Sequence, residues 1–252
     1  MSRTGSKWRI DSPVDGFDAG RAEQFLAAGG PMARIYQPEA YEPRYPYPLL
    51  VLFHPQGGNE EQALDLMPQL SRRNYVAVSI RGPQMLGLRE DGQLSCGWGY
   101  EDHHSDVIQE HILKSVESVR KTYNVHTERV FFLGFCEGAG AAYRAAFAMA
   151  DRIGGLIALN GQMPRAMGGA PLFRPNVLRN LPVFLGHGLA NPIVPYKVAE
   201  KDHMLLFTAG ADVTLKNYIA SHRVESDMLR DVNRWIIDNL ETCENRRFTM
   251  SG

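Results

Sequence analysis

Short runs of consecutive apolar residues recur along the chain and alternate with segments whose apolar residues are spaced three and four apart. Continuous runs are typical of strands buried on both faces, whereas the three-four spacing predicts amphipathic helices. The predicted strands lie at residues 49–53, 75–80, 130–134, 156–159, 183–185 and 213–218. The predicted helices begin near residues 59, 105, 194 and 224 and directly after residue 134. This alternation predicts the α/β class, a three-layer α/β/α sandwich around a mostly parallel sheet.

Local signals add detail between these elements. Apolar pieces at residues 25–36 suit a strand pair joined by a turn. Asn59 is a good N-cap for one continuous helix, with Gln62 as its capping-box partner, and the apolar side carries Ala63, Leu66, Met67 and Leu70. Residues 82–105 form a predicted long loop, ended by Ser105 as the cap of the next helix. That helix presents on one face Val107, Ile108, Ile112, Val116, Val119 and Tyr123.

Length and composition limit the class of protein. The 252 residues predict one domain at 21–243, with an N-terminal arm at 1–20 and a C-terminal tail at 244–252. The 27 basic and 28 acidic residues argue against a nucleic-acid partner. No apolar run is long enough to span a bilayer. The first twenty residues lack the apolar core of a secretory signal, so we expect a cytoplasmic protein. A homodimer is left open.

The clearest chemical signal is Gly134-Phe135-Cys136-Glu137-Gly138, which follows a strand and opens a helix. A strand-to-helix turn this tight needs small residues at its ends, and it holds its central side chain exposed above the sheet edge as a nucleophile. The alternative is a packing turn with a buried, inert cysteine. The other two cysteines, Cys96 and Cys243, complete an odd set that does not indicate a disulfide framework.

Two later segments complete a pattern. Residues 187–195 read His-Gly-Leu-Ala-Asn-Pro-Ile-Val-Pro after one strand, and His222 follows the last strand. With the turn around Cys136, the chain resembles the phospholipase/carboxylesterase group of α/β hydrolases, which includes acyl-protein thioesterases. That group has a nucleophile at the turn, an HGxxDxxVP segment carrying the acid, and a late histidine. The resemblance covers about residues 48–240 and implies a catalytic set of Cys136, His222 and Asn191.

The resemblance also implies an oxyanion hole. The segment after residue 53 reads His-Pro-Gln-Gly-Gly where the group has an HGxG loop. By position its backbone donor is Gln56, and Glu137 supplies the second amide. Pro55 replaces the first glycine of that loop, which changes its geometry because proline lacks an N–H. His54 itself is predicted to be structural.

Two positions depart from the group, since Cys136 replaces serine and Asn191 replaces aspartate. Dienelactone hydrolases, of the same fold, also use cysteine. A thiolate supplies its own negative charge to a protonated His222, so Asn191 need only orient the ring, as in papain-like enzymes. The helix N-terminus is expected to lower the pKa of Cys136. The competing hypothesis is a catalytically silent relative that binds a small acyl ligand or a partner. A peptidase related to prolyl oligopeptidases ranks lower, and residues 159–162 offer no replacement acid.

Several other segments are weaker candidates. Trp98 and Tyr100 are predicted to line the substrate pocket, although Trp98 anchoring its own loop is an equal alternative. Residues 162–180 carry three arginines and no acid, and they suit either a lid that attracts an anion or a plain connector. Adjacent acids and histidines at 101–106 do not have metal-ligand spacing. We therefore predict no metal and no cofactor, with a small acyl ester or thioester as substrate.

Overall fold

A seven-stranded sheet forms the centre of the computed structural model, which describes residues 33–99, 102–165 and 177–250. The strands are β1 Ala33–Tyr36, β2 Tyr47–Phe53, β3 Val76–Ile80, β4 Gln84–Leu88, β5 Leu94–Gly97, β6 Val125–Phe135, β7 Gly155–Leu159, β8 Pro182–Gly188 and β9 Asp212–Tyr218. The sheet order is β1-β3-β2-β6-β7-β8-β9, and β4 and β5 form a separate hairpin. Every neighbouring pair in the large sheet is parallel except β1 with β3.

Helices cover both faces of the sheet, which confirms the predicted three-layer α/β architecture. They are α1 Glu60–Leu64, α2 Met67–Leu70, α3 Asp102–Thr122, α4 Glu137–Ala148, α5 Tyr196–Thr208 and α6 Ser226–Met250. One apolar core joins the sheet to α3, α4 and α5. A second core joins it to α1, α2 and α6. Along β2, Leu49 and Val51 enter the first core while Leu50 and Leu52 enter the second, because successive side chains of a strand point to opposite faces.

The connection between β2 and α3 differs from the sequence prediction. The single helix expected after Asn59 is two short helices, α1 and α2, although Asn59 does cap α1 by accepting hydrogen bonds from the Glu61 and Gln62 amides. The side-chain oxygen of Gln62 accepts from Arg89. The predicted loop at 82–105 contains the β4–β5 hairpin, and α3 begins at Asp102 rather than after Ser105.

Near the ends of the chain, one helix is longer than predicted, and some predicted segments lie outside the described residues. Only β1 of the predicted strand pair at 25–36 falls within the described residues, and the predicted arm at 1–20 lies outside them. Helix α6 continues to Met250, through most of the residues predicted as a tail. On α3 four of the predicted apolar residues are buried, whereas Val107 is exposed and Tyr123 is partly buried just beyond the end of the helix. Because β2, β6, β7, β8 and β9 are parallel, their carboxyl ends lie at the same edge of the sheet, and the predicted site residues follow these strand ends.

Candidate active site

Cys136 stands in a tight turn between β6 and α4. Its backbone has φ 58° and ψ −123°, a conformation that is strained for a residue with a side chain. The turn is closed by backbone contact, because a Cβ on Gly134 would lie 2.2 Å from the Gly138 oxygen. A Cβ on Gly138 would lie 2.2 Å from the Phe53 oxygen at the end of β2. Glycine at both ends thus lets the cysteine turn pack directly on the neighbouring strand.

Two backbone amides converge on the sulfur of Cys136. The N–H groups of Gln56 and Glu137 both donate to it, so the two predicted oxyanion donors lie together beside the predicted nucleophile despite Pro55. Burial nevertheless raises the pKa of the Cys136 thiol to about 11, and the amides offset only part of this effect. The amide of Glu137, in the first turn of α4, does lower this pKa as expected, but burial outweighs it, so the thiol is uncharged at neutral pH.

His222 and Asn191 meet across the loops that follow β9 and β8. Nδ1 of His222 lies 3.0 Å from Oδ1 of Asn191. The same oxygen accepts hydrogen bonds from the backbone amides of Ile193 and Val194, each at 3.0 Å. An atom that already accepts two N–H groups is the oxygen of the carboxamide, so Nδ1 of His222 is the donor. The other ring nitrogen, Nε2, consequently carries the lone pair that a general base needs.

That nitrogen is buried, and it has no hydrogen-bond partner within the described part of the chain. The His222 ring packs against Phe135, the residue before Cys136, with 5.2 Å between ring centroids. Burial lowers the pKa of His222 to about 4. The histidine is therefore neutral, and it lies beside the cysteine turn without a hydrogen bond to the sulfur. A resting thiolate–imidazolium pair is not formed.

Asn160, at the end of β7, joins the loops of the site, and the sequence analysis missed its role. Its Oδ1 accepts from the Gly188 amide at 2.8 Å and from Nδ2 of Asn191 at 3.2 Å. Its Nδ2 donates to the carbonyl oxygen of Arg223 at 2.7 Å. The residue before it contributes as well, since the Leu159 oxygen accepts from the Cys136 amide. An asparagine directly after a buried strand was the available signal.

Trp98 does not line an open pocket. Its side chain is fully buried, and its indole N–H donates to the His54 carbonyl at 2.8 Å. His54 is fixed at both ring nitrogens, because Nδ1 donates to the Pro55 oxygen and Nε2 accepts from the Gly82 amide. The anchoring alternative therefore fits Trp98, which supports the loop that carries Gln56. Tyr100, the other predicted pocket residue, lies outside the described residues.

Arg165 is also committed to a structural contact. It pairs with Asp202, a buried residue of α5 whose other oxygen accepts from the Met163 amide at 2.6 Å. Burial raises the pKa of Asp202 to about 6. Asp202 shares one face of α5 with Ala199 and Leu206, so its position among apolar residues was a readable signal of burial. This pairing favours a connector at residues 162–165, while residues 166–176 lie outside the described part.

The described residues contain neither a metal-binding cluster nor a membrane-spanning helix. No group of three or more histidine, cysteine, aspartate or glutamate side chains there is arranged to hold a metal ion. No helix in the same residues is long and apolar enough to cross a membrane.

The fold and this site define an α/β hydrolase. A family model described as phospholipase/carboxylesterase matches residues 40–240, and the chain belongs to that family. It is therefore a hydrolase, as the sequence resemblance predicted.

Relatives and solved structures agree with this class. Acyl-protein thioesterase 1 of Candida albicans is 25% identical over 140 residues, which are 54% of this chain and 59% of that protein. Acyl-protein thioesterase 1 of Debaryomyces hansenii is 22% identical over 213 residues, covering 73% and 88% of the two chains. A crystal structure of the Bacillus cereus carboxylesterase superposes with a TM-score of 0.64 at 20% identity, covering 86% of this chain and 99% of that one.

Proposed function

We propose that the protein hydrolyses carboxylic esters or thioesters through Cys136, His222 and Asn191 and a covalent acyl-enzyme. The observation that carries the proposal is the hydrogen bond between Nδ1 of His222 and Oδ1 of Asn191. It fixes a neutral histidine whose free lone pair lies beside the cysteine turn. An asparagine suffices here because its oxygen only has to orient the ring. Thioesters are included because both curated relatives are named as acyl-protein thioesterases.

Acylation begins from an uncharged pair. The thiol turns about its Cα–Cβ bond from the two amides toward Nε2 of His222, which takes its proton as general base. The sulfur then forms a bond to the substrate carbonyl carbon, and the carbonyl oxygen becomes an oxyanion. The amides of Gln56 and Glu137, vacated by the sulfur, donate to that oxyanion. Because these donors are already in place, they stabilise the negative charge that develops in the transition state.

Deacylation regenerates the enzyme. The protonated Nε2 of His222 gives its proton to the departing alcohol or thiol as the bond to the carbonyl carbon breaks, which leaves an acyl thioester on Cys136. A water molecule then gives a proton to Nε2 and attacks the acyl carbon. Collapse of the second oxyanion breaks the carbon–sulfur bond, and the sulfur recovers the proton. The acid product leaves, and no cofactor takes part. The cytoplasmic location and the homodimer stay predictions.

The test is hydrolysis of a series of p-nitrophenyl esters and matched thioesters from short to long acyl chains. We expect Cys136→Ala and His222→Ala each to lower kcat/KM by about 10² to 10⁴, the range for loss of a nucleophile's activation or a general base. Cys96→Ala is the matched control, because it removes a second buried thiol and keeps the backbone hydrogen bonds that join residue 96 to the loop presenting Gln56. A series in which all three variants match the native protein would indicate a silent binding protein instead.

A further inference from the structure

Asn160 contacts both loops that carry the proposed acid position and the proposed histidine. We propose that it is a positioning residue, whose carboxamide fixes the orientation of Asn191 and makes asparagine, rather than aspartate, the functional residue at that position. The catalytic consequence rests on the proposed function, whereas the pairing of the two amides can be tested without turnover.

The orientation of Asn160 is set by backbone groups. Its Nδ2 donates to the Arg223 carbonyl at 2.7 Å, and its Oδ1 accepts from the Gly188 amide at 2.8 Å. A flipped carboxamide would place an oxygen against the carbonyl and an N–H against the amide, losing both hydrogen bonds. Since Asn160 is fully buried, water cannot replace them. Asn160 therefore presents an acceptor, not a donor, to residue 191.

Residue 191 must answer with a donor. Nδ2 of Asn191 lies 3.2 Å from that oxygen. Its other polar neighbour, Nε2 of His187, is farther away at 3.4 Å and already donates to the Val194 oxygen at 2.7 Å. An aspartate at 191 would keep the contacts of the first oxygen with Ile193, Val194 and His222, but it would place its second oxygen against the oxygen of Asn160. Two buried acceptors at this distance repel each other. Asn160 thus favours an amide over a carboxylate at residue 191. The replacement of the usual aspartate by Asn191 is accompanied by a neighbouring residue that suits the amide.

The carboxamide of Asn160 also bears on the position of His222. Gly188 and the His222 loop are in close contact, since a Cβ on Gly188 would lie 2.5 Å from the oxygens of Ala220 and Ser221. Asn160 bonds one loop at Gly188 and the other at Arg223, the residue after His222. The Ala190 amide also joins the two loops directly, by donating to the Ala220 oxygen at 3.0 Å, and Asn160 adds the side-chain bridge that bears on the spacing between Asn191 and His222. With that spacing kept, Nδ1 stays protonated and Nε2 keeps its lone pair.

A double-mutant cycle tests the pairing in the full-length protein. Asn160→Ser, Asn191→Asp and the double variant are compared with the native protein by denaturant unfolding. We expect each single change to lower the folding equilibrium constant roughly tenfold. In the Asn160→Ser background, Asn191→Asp should cost much less, because the opposing oxygen is gone. Asn217→Ser is the matched control, since the Asn217 amide makes an exposed contact with Tyr196 and should change that constant less than about twofold.

Two further measurements separate positioning from general support. Ring ¹⁵N shifts of His222 should report the Nδ1–H tautomer in the native protein and a mixture of tautomers in Asn160→Ser. With an ester substrate, Asn160→Ser should lower kcat roughly tenfold and leave KM within about twofold, because a misoriented base affects the chemical step. The control should match the native protein in both.

Additive unfolding effects at residues 160 and 191 would overturn the inference. So would a gain in kcat/KM from Asn191→Asp in the native background, because that gain would identify Asn191 as a degraded aspartate. Should Asn160→Ser fail to fold, Asn191→Asp alone still decides, since a stability equal to that of the native protein would contradict the clash of oxygens. A Cys136→Ala variant with native turnover would refute the proposed function alone, because the cycle and the ring shifts need no substrate.

Discussion

The two sides of the site are built in different ways. Asn160, Asn191 and His222 are held by side-chain hydrogen bonds, in which all four carboxamide atoms of the two asparagines and Nδ1 of the histidine have partners. Cys136 is held by backbone packing, in a strained turn whose glycines touch the neighbouring strand. Within the described residues, the donors to its sulfur are the two amides of the proposed oxyanion hole.

The difference shows which part of the site is in its proposed reactive form without substrate and which part is not. The histidine side is already oriented, with a neutral ring and a free lone pair. The cysteine side is placed but uncharged, because burial opposes a thiolate more strongly than the two amides favour it. In the proposed mechanism, the thiol therefore gives up its proton only when it attacks the substrate. We therefore expect the cysteine side to be disrupted by substitutions that alter backbone packing, and the histidine side by substitutions that remove side-chain hydrogen bonds.

The largest effect should come from Gly138→Ala, which attacks the backbone packing of the cysteine side. The added Cβ would lie 2.2 Å from the Phe53 oxygen and 2.4 Å from the His54 oxygen, and both are backbone atoms that cannot move cheaply. We expect a loss of about 3 kcal/mol or more in the free energy of unfolding, at the upper end for overpacking. Urea unfolding monitored by tryptophan fluorescence measures it.

Gly140→Ala is the matched control, two residues further along the same helix. Its added Cβ would meet only the Gln162 oxygen, at an ordinary contact distance of 3.7 Å. Alanine is favoured over glycine in a helix, so this variant should gain about 0.5–1 kcal/mol in the free energy of unfolding. Equal stabilities of the two alanine variants would contradict the close approach at Gly138.

The sheet was predictable because its strands are buried on both faces, which leaves continuous apolar runs in the sequence. The β4–β5 hairpin was missed because its strands are short and partly exposed. The Asp91-Gly92 pair at its turn, where Gly92 has φ +77°, was the signal to use. Helix α1 ends early although the apolar spacing continues into α2, since periodicity records which residues are buried rather than where the backbone changes direction.

At the site, the residues that could be predicted from the sequence were those that belong to a motif with fixed spacing. Gln56, Glu137, Asn191 and His222 belong to such motifs, and the structure brings them together in two groups. The uncharged thiol was not predictable, because it depends on how much water the assembled loops exclude from Cys136. The role of Asn160 was not predictable either, because its partners lie 28 to 63 residues away in the chain.

The pH dependence of Cys136 alkylation tests the uncharged thiol. Burial raises its pKa from an ordinary 9.0 to about 11, so the thiolate fraction at neutral pH is about a hundredfold below that of an exposed cysteine. The iodoacetamide rate, followed by mass spectrometry of the Cys136 peptide, should rise about tenfold per pH unit from pH 7 to 10. His222→Ala should leave this profile unchanged, since Nε2 has no hydrogen bond to the sulfur. A plateau at mildly acidic pH would instead indicate a thiolate–imidazolium pair.

The smallest effect sharpens the contrast between two buried histidines. Burial lowers the pKa of both His54 and His222 to about 4. His222 can take a proton on its free Nε2, whereas protonating His54 breaks the hydrogen bond from Gly82. A folded-state pKa below the unfolded value of about 6.5 means that unfolding takes up a proton. The stability that such a histidine contributes is complete above pH 6.5 and is lost progressively as the pH falls toward 4.

His54→Gln removes one of these protons while its side-chain oxygen can still accept from the Gly82 amide. We expect the slope of unfolding free energy against pH to fall by about 1.4 kcal/mol per pH unit between pH 6.5 and 4. Asp202, whose raised pKa acts in the opposite direction, is common to both proteins and cancels in the difference. Glu60 beside His54 stays paired with Arg81 in both, although its pKa is lowered slightly by His54. His203→Gln, on the surface of α5, reports what loss of a partly exposed imidazole does to the slope. If His54→Gln keeps the native slope, the pKa of His54 is the same in the folded and unfolded states, and burial does not hold the ring neutral in the loop that presents Gln56.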